Sequence, residues 1–146
     1  MKSIQSYFIA YVAAALAMLG LDSIWLTLTA DTLYRPILGD MMVDHFRLGP
    51  AVAFYALYLC GVLYFAVRPA LASGRLTTAL VRGGLLGVFA YGTYDLTNQA
   101  TLKVWSTAIS VPDMAWGAFL TAVVAGAGYL AAGRLSPTRR EASIRR

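Results

Sequence analysis

The sequence predicts an all-α protein, a bundle of four transmembrane helices with both termini cytoplasmic. Three observations predict it. Hydrophobic residues make up 59% of the chain and charged residues 13%, where a soluble domain carries about 25% charged. The 146 residues hold four apolar stretches, each near the roughly 20 residues that cross a bilayer. The basic residues gather in alternate connections, as the positive-inside rule requires. One domain, 1–133, is expected to carry the spans, and 134–146 to form a basic cytoplasmic tail, disordered or resting on anionic headgroups.

The first span is expected over about 7–29. A secretory signal peptide competes with it, since Ala15-Leu16-Ala17 resembles a cleavage site, but apolar character continues well past Ala17. Asp22 interrupts this span and shares a helical face with Trp25, Leu26 and Thr29. The connection 30–49 carries Asp31, Asp40, Asp44, Arg35, His45 and Arg47. Asp31 and Arg35 have the spacing of one helical turn, and Pro36 and Gly39 break it up. A segment of this length is either a binding loop or lid, or a plain solvated loop.

The second span is expected over 50–67, opened by Pro50, rich in Phe54, Tyr55, Tyr58 and Tyr64, and ended by Arg68-Pro69. The third, 79–102, contains the ridge Gly83-x-x-x-Gly87. The fourth, 112–132, starts at Pro112 and repeats the pattern with Ala118, Ala122 and Gly126. Small residues four apart let helices approach closely, so these two ridges are the expected surfaces for a homo-oligomer or a membrane-protein partner. Cys60 reads as a small core residue, and with one cysteine and one histidine no metal site is expected. Basic residues do not interleave with aromatics, which speaks against nucleic acid; the expected partner is membrane lipid.

Four spans place both termini on one side. That side collects Lys2, Arg68, Arg75, Arg82, Arg134, Arg139, Arg140, Arg145 and Arg146, and leaves Arg35, Arg47 and Lys103 opposite. Both termini are therefore expected in the cytoplasm and the protein multi-pass, with the acids Asp22, Asp31, Asp40, Asp44, Asp95 and Asp113 in the outer half.

The stretch Tyr91-Gly92-Thr93-Tyr94-Asp95-Leu96-Thr97-Asn98 is the most telling. Hydrocarbon holds no water to solvate an aspartate, so Asp95 needs protein partners. Tyr91, Asp95 and Asn98 share one face, with Tyr94 beside them. Asp22 falls at much the same depth, roughly 10 Å below the outer end. Asp113 is expected at the rim, in the first turn of the fourth span, where the helix dipole alone would explain it. Leu21-Asp22 and Tyr94-Asp95 also hint at a duplicated two-helix hairpin. The candidate ligand-binding set is thus Asp22, Trp25, Tyr91, Tyr94, Asp95, Asn98, Asp113 and Trp116, with Tyr55, Tyr58, Arg35 or Lys103 as further partners for the acids. Against it stand a purely structural network that sets helix register, and tryptophans, Trp105 among them, that only anchor the interface.

These residues resemble a bacterial family of small integral membrane proteins, the domain of unknown function numbered 2177. The resemblance rests on Leu21-Asp22-x-x-Trp25-Leu26, Tyr34-Arg35 with Gly39, and Phe54-Tyr55-x-x-Tyr58-x-x-Gly61. It continues through Tyr91-x-x-Tyr94-Asp95-Leu96-Thr97-Asn98, Ala100-Thr101-Leu102 with Trp105, and Asp113-x-x-Trp116-Gly117. Gln99 is more polar than the family has at that place. The resemblance implies a four-helix inner-membrane protein and leans towards lipid metabolism, without supplying an activity or a cofactor. Three functions follow as expectations. The first is a pocket that binds or transports a small molecule, a lipid headgroup or a cation. The second is an intramembrane enzyme on a lipid or lipid-like substrate, with Asp22 or Asp95 as general acid or base. The third is a structural subunit of a membrane complex.

Overall fold

The computed structural model describes residues 4–134, with side chains through 133. The expected basic tail, apart from Arg134, and Lys2 lie outside the described residues. Four helical rods follow one another, and the described residues contain no strand. We call them α1 (Ile4–Met41), α2 (Leu48–Ser73), α3 (Leu76–Thr101) and α4 (Thr107–Arg134). Three of them, α1, α2 and α4, are long and apolar enough to cross a membrane. At 26 residues α3 is as long, but Arg82, Asp95, Asn98 and Gln99 lower its hydropathy.

Neighbouring rods are antiparallel. Gly128 of α4 meets Ala10 and Ala14 of α1, while Trp116 reaches Asp22. On its other side α4 meets Gly83 of α3 through Thr121 and Ala125, and Gly87 through Gly117. So α4 is the central rod, packed on both α1 and α3. The reason lies in small residues at every fourth position. On α1 the buried stripe is Ser6, Ala10, Ala14, Met18 and Asp22. On α3 it includes Ala79, Gly83 and Gly87 and reaches Gly92 and Asp95. A β-carbon at Gly87 would stand 2.1 Å from the Gly117 carbonyl oxygen, and one at Gly83 2.6 Å from that of Thr121. Only glycine permits that approach. The two small-residue ridges therefore meet inside one chain, Ala118 and Ala122 lying over Gly84, and a partner using them would have to displace this contact.

Both prolines expected to break helices are instead carried within rods. Proline lacks the N–H that an α-helix needs at an interior position. In α1 the turn Ala30–Tyr34 widens to π geometry, Arg35 N–H bonds Ala30 O, and Pro36 follows at the start of a new helical turn. In α2 the turn Leu63–Val67 does the same, with Arg68 N–H on Leu63 O ahead of Pro69. A widened turn frees the carbonyl that proline cannot serve. The stops come later, at Gly39 (φ 50°) and Gly74 (φ 67°), in conformations that favour glycine. The expected loop 30–49 thus shrinks to its last third, and the second rod runs on past Arg68-Pro69 to Ser73.

The fourth rod also starts earlier than expected. It begins at Thr107, with Pro112 inside it. Gln99 helps to place that start. Its Nε2 donates to Thr107 Oγ1 at 2.8 Å and its Oε1 accepts from Ser110 Oγ at 2.8 Å, clipping the end of α3 to the start of α4. Cys60 is exposed on the outer face of α2 rather than in the core. Hydroxyls on the outer faces turn inward: Thr27 bonds Ser23 O at 2.7 Å, Thr93 bonds Phe89 O at 2.6 Å, and Thr101 bonds Thr97 O at 2.8 Å. Such bonds satisfy a hydroxyl where no water is at hand.

Candidate functional site

At the end of the bundle away from residues 4 and 134, α2 leans away. Its first half, Leu48–Val62, barely touches α3, while its second half packs on α1, α3 and α4. The gap is a cavity of about 710 Å³. Its wall includes Asp22, Trp25 and Tyr34 from α1, Phe54 and Tyr55 from α2, Tyr91, Tyr94 and Asn98 from α3, and Asp113 and Trp116 from α4. Leu26, Leu38, Met41, Met42, Val43 and Phe46 complete the mouth. A second cleft of about 300 Å³ is lined by Phe54 of α2, Ala90, Tyr91 and Tyr94 of α3, and Asp113 of α4.

The small-residue stripes explain why acids end up here. Asp22 and Asp95 each close a buried stripe that packs towards α4, so both are carried inside by the same spacing. Asp22 is fully engaged. Tyr55 donates to its Oδ2 at 2.6 Å and the Trp116 indole N–H to its Oδ1 at 3.2 Å, which ties α1, α2 and α4 together. Asp113 accepts from the Tyr34 hydroxyl at 2.7 Å, and that hydroxyl accepts from the Trp25 indole N–H at 3.2 Å. Trp25 and Trp116 stack, their ring centroids 4.7 Å apart and their planes 8° from parallel. The two carboxylate relays are joined through that stack.

Asp95 differs. It is fully buried, and neither of its oxygens has a hydrogen-bond partner among the described residues. On the facing rod Gly92 meets Met114 and Gln99 bonds Ser110, so Asp113 stands opposite Asp95. An ionised carboxylate without a donor in such a place is costly.

Of the eight residues expected at a site, seven lie on the cavity wall, and Asp95 sits behind it against Asp113. Several roles change. The acid opposite Asp95 is Asp113, which the sequence places only at the rim. Asp113 lies in the second turn of α4, so the dipole at the helix start does not explain it; Tyr34 does. Tyr58 serves Thr121, their hydroxyls 2.8 Å apart, and Arg35 pairs with Asp31 at 2.9 Å, exposed. Trp105 is buried on the wall, donating to Ser110 at 3.1 Å with its ring edge-on to Tyr94, and is no surface anchor. Tyr34 is the residue that spacing missed. Its only signal was the Tyr34-Arg35 pair in the family pattern, because the widened turn that aims it inward leaves no periodic trace.

Fold and wall together define a small helical membrane protein with a carboxylate-and-aromatic cavity at one end of its bundle. The chain belongs to the family described as a predicted membrane protein (DUF2177), which it matches over residues 7–130. No curated protein and no solved structure matches it.

Proposed function

We propose that the cavity binds, and the bundle transports, an organic ammonium cation with apolar substituents. The observation that carries this reading is the composition of the wall. It holds Asp22 and Asp113 among tryptophan, tyrosine and phenylalanine rings, and no Lys, Arg or His. Aromatic faces attract cations, and quaternary ammonium groups are recognised by rings of this kind. A phosphate inside the cavity would meet two carboxylates and no basic group. The reading therefore takes the cation from the expected range and sets aside an anionic headgroup. The second cleft, between Phe54 and Asp113, serves in this proposal as the path by which an apolar cation enters from the bilayer.

In this proposal α3 crosses the membrane with the other three rods. Its polar residues are Asp95, turned to the interior, the Gln99 clip, Asn98 on the cavity wall and threonines bonded to their own helix. The charge distribution of the connections supports cytoplasmic termini and a cavity on the outer side, and membership of a bacterial family supports the inner membrane as the place.

The test is equilibrium binding to the purified protein in a neutral detergent. Benzyltrimethylammonium and tetraphenylphosphonium should bind saturably, benzenesulfonate should not, and Asp113→Asn should weaken both cations at least about tenfold, or about 1.4 kcal/mol. Absence of saturable cation binding, or equal binding of the anion, overturns the proposal.

A further inference from the structure

Asp95 is the one buried acid that the cation reading leaves unused. Both its oxygens are buried without a donor, although every other acid of the cavity has one or two. Opposite Asp95 is Asp113 from α4, with Tyr34 of α1 bonded to it; Tyr94, the residue before Asp95 on α3, and Asp22 of α1 lie on the same cavity wall. From α2 the nearest polar contribution to this cluster is Tyr55, which is committed to Asp22. No basic side chain lines the cavity. Tyr34 directs its proton to Asp113 and Trp25 directs its own to the Tyr34 oxygen, so neither turns to Asp95. A metal ion is a poor answer to this vacancy of donors: hard cations want about six oxygens, and no group of three metal-binding side chains occurs among the described residues. What two adjacent buried carboxylates need is a hydrogen between them.

We propose that Asp95 and Asp113 form a proton-binding site that holds one shared proton at neutral pH. The proton sits between an oxygen of Asp95 and the Asp113 carboxylate whose Oδ1 accepts from Tyr34. One carboxyl then donates and the other accepts, which gives Asp95 its missing partner and leaves the pair with one negative charge instead of two. Asp22 needs no such partner, because Tyr55 and Trp116 already supply donors to both its oxygens. This pair stands or falls separately from whatever fills the cavity.

The test is infrared difference spectroscopy of the detergent-solubilised, ligand-free protein, titrated from neutral to alkaline pH. The wild type should show a protonated-carboxyl C=O band at neutral pH that shifts in heavy water and disappears on the alkaline side. Asp95→Asn should lack the band, because an amide N–H2 supplies the hydrogen that the pair otherwise takes from water; Asp113→Asn should lack it for the same reason. Asp22→Asn should keep it. A wild type without the band at neutral pH overturns the proposal, and that result needs no variant to fold. A band that survives in both Asp95→Asn and Asp113→Asn also overturns it, by placing the proton elsewhere. A band that appears only when sodium is withheld would show that a metal ion holds the pair, and would overturn it too.

Discussion

The Tyr34 hydroxyl donates to Asp113 Oδ1 at 2.7 Å and so joins two parts of the chain 79 residues apart. Tyr34 is in reach because a π turn over-rotates the end of α1, and Asp113 because α4 begins five residues before Pro112. Removing this hydroxyl strands the buried Asp113 oxygen and the half-buried Trp25 indole N–H. Tyr34→Phe should therefore lower stability by about 1–3 kcal/mol, the usual cost of a buried polar group left unpaired. Thermal unfolding in detergent, followed by circular dichroism, checks this; an unchanged midpoint would show that water or another side chain takes over the bond.

The α3–α4 contact gives a sharper contrast between neighbouring glycines. Gly87→Ala places a methyl 2.1 Å from a backbone oxygen, which cannot step aside. Gly84→Ala meets nothing nearer than 3.7 Å. The first should cost at least about 1–3 kcal/mol, as overpacking does, and the second little or nothing. Comparing their melting midpoints tests whether the two ridges meet within one chain.

Exposed charges at the same end should matter far less. Arg35 and Asp31 pair at 2.9 Å, but their side chains are 55% and 81% exposed. Arg35→Ala should change stability by less than about 1 kcal/mol and leave cation binding intact. A large loss would mean that Arg35 is needed for the π turn that positions Tyr34.

If a cation occupies the cavity, it competes with the shared proton for one negative charge. The sign follows directly: low pH keeps the pair protonated and weakens binding, and rising pH removes the proton and strengthens it. Affinity for benzyltrimethylammonium should climb with pH by at most about tenfold per unit, the linkage of one proton. In Asp95→Asn the slope should flatten. Binding isotherms across a pH series, or proton release into weak buffer on mixing, read this out.

Tryptophan fluorescence offers an independent check on where a ligand sits. Trp25 and Trp116 stack at 4.7 Å on the cavity wall. Cation binding should change the emission of the wild type, and Trp116→Phe should reduce that change while Trp105→Phe leaves most of it. Equal responses in both variants would place the ligand away from the stack.

Four helical segments, three of them apolar enough to cross a membrane, and the helical faces that carry Asp22 and Asp95 were legible along the chain. Composition sets the solvent, and a side chain's place on a helix repeats with the turn, so residues sharing a face can be counted off in one dimension. The buried stripes ending in Asp22 and Asp95 are that count made solid. Family membership was legible for the same reason, being a pattern of residues in order. Helix ends were less so. Proline normally stops a helix, and nothing in Arg35-Pro36 or Arg68-Pro69 announces that a widened turn will carry the rod through.

Partnership was beyond reach in one dimension. Which acid stands beside Asp95, which hydroxyl serves Asp113, and that two tryptophans stack across the bundle all depend on how separate rods rotate and cross. Those angles are set by glycines of α3 pressed against the backbone of α4 and by the lean of α2, contacts between residues remote along the chain. Spacing tells which way a side chain faces on its own helix; only packing tells what it faces.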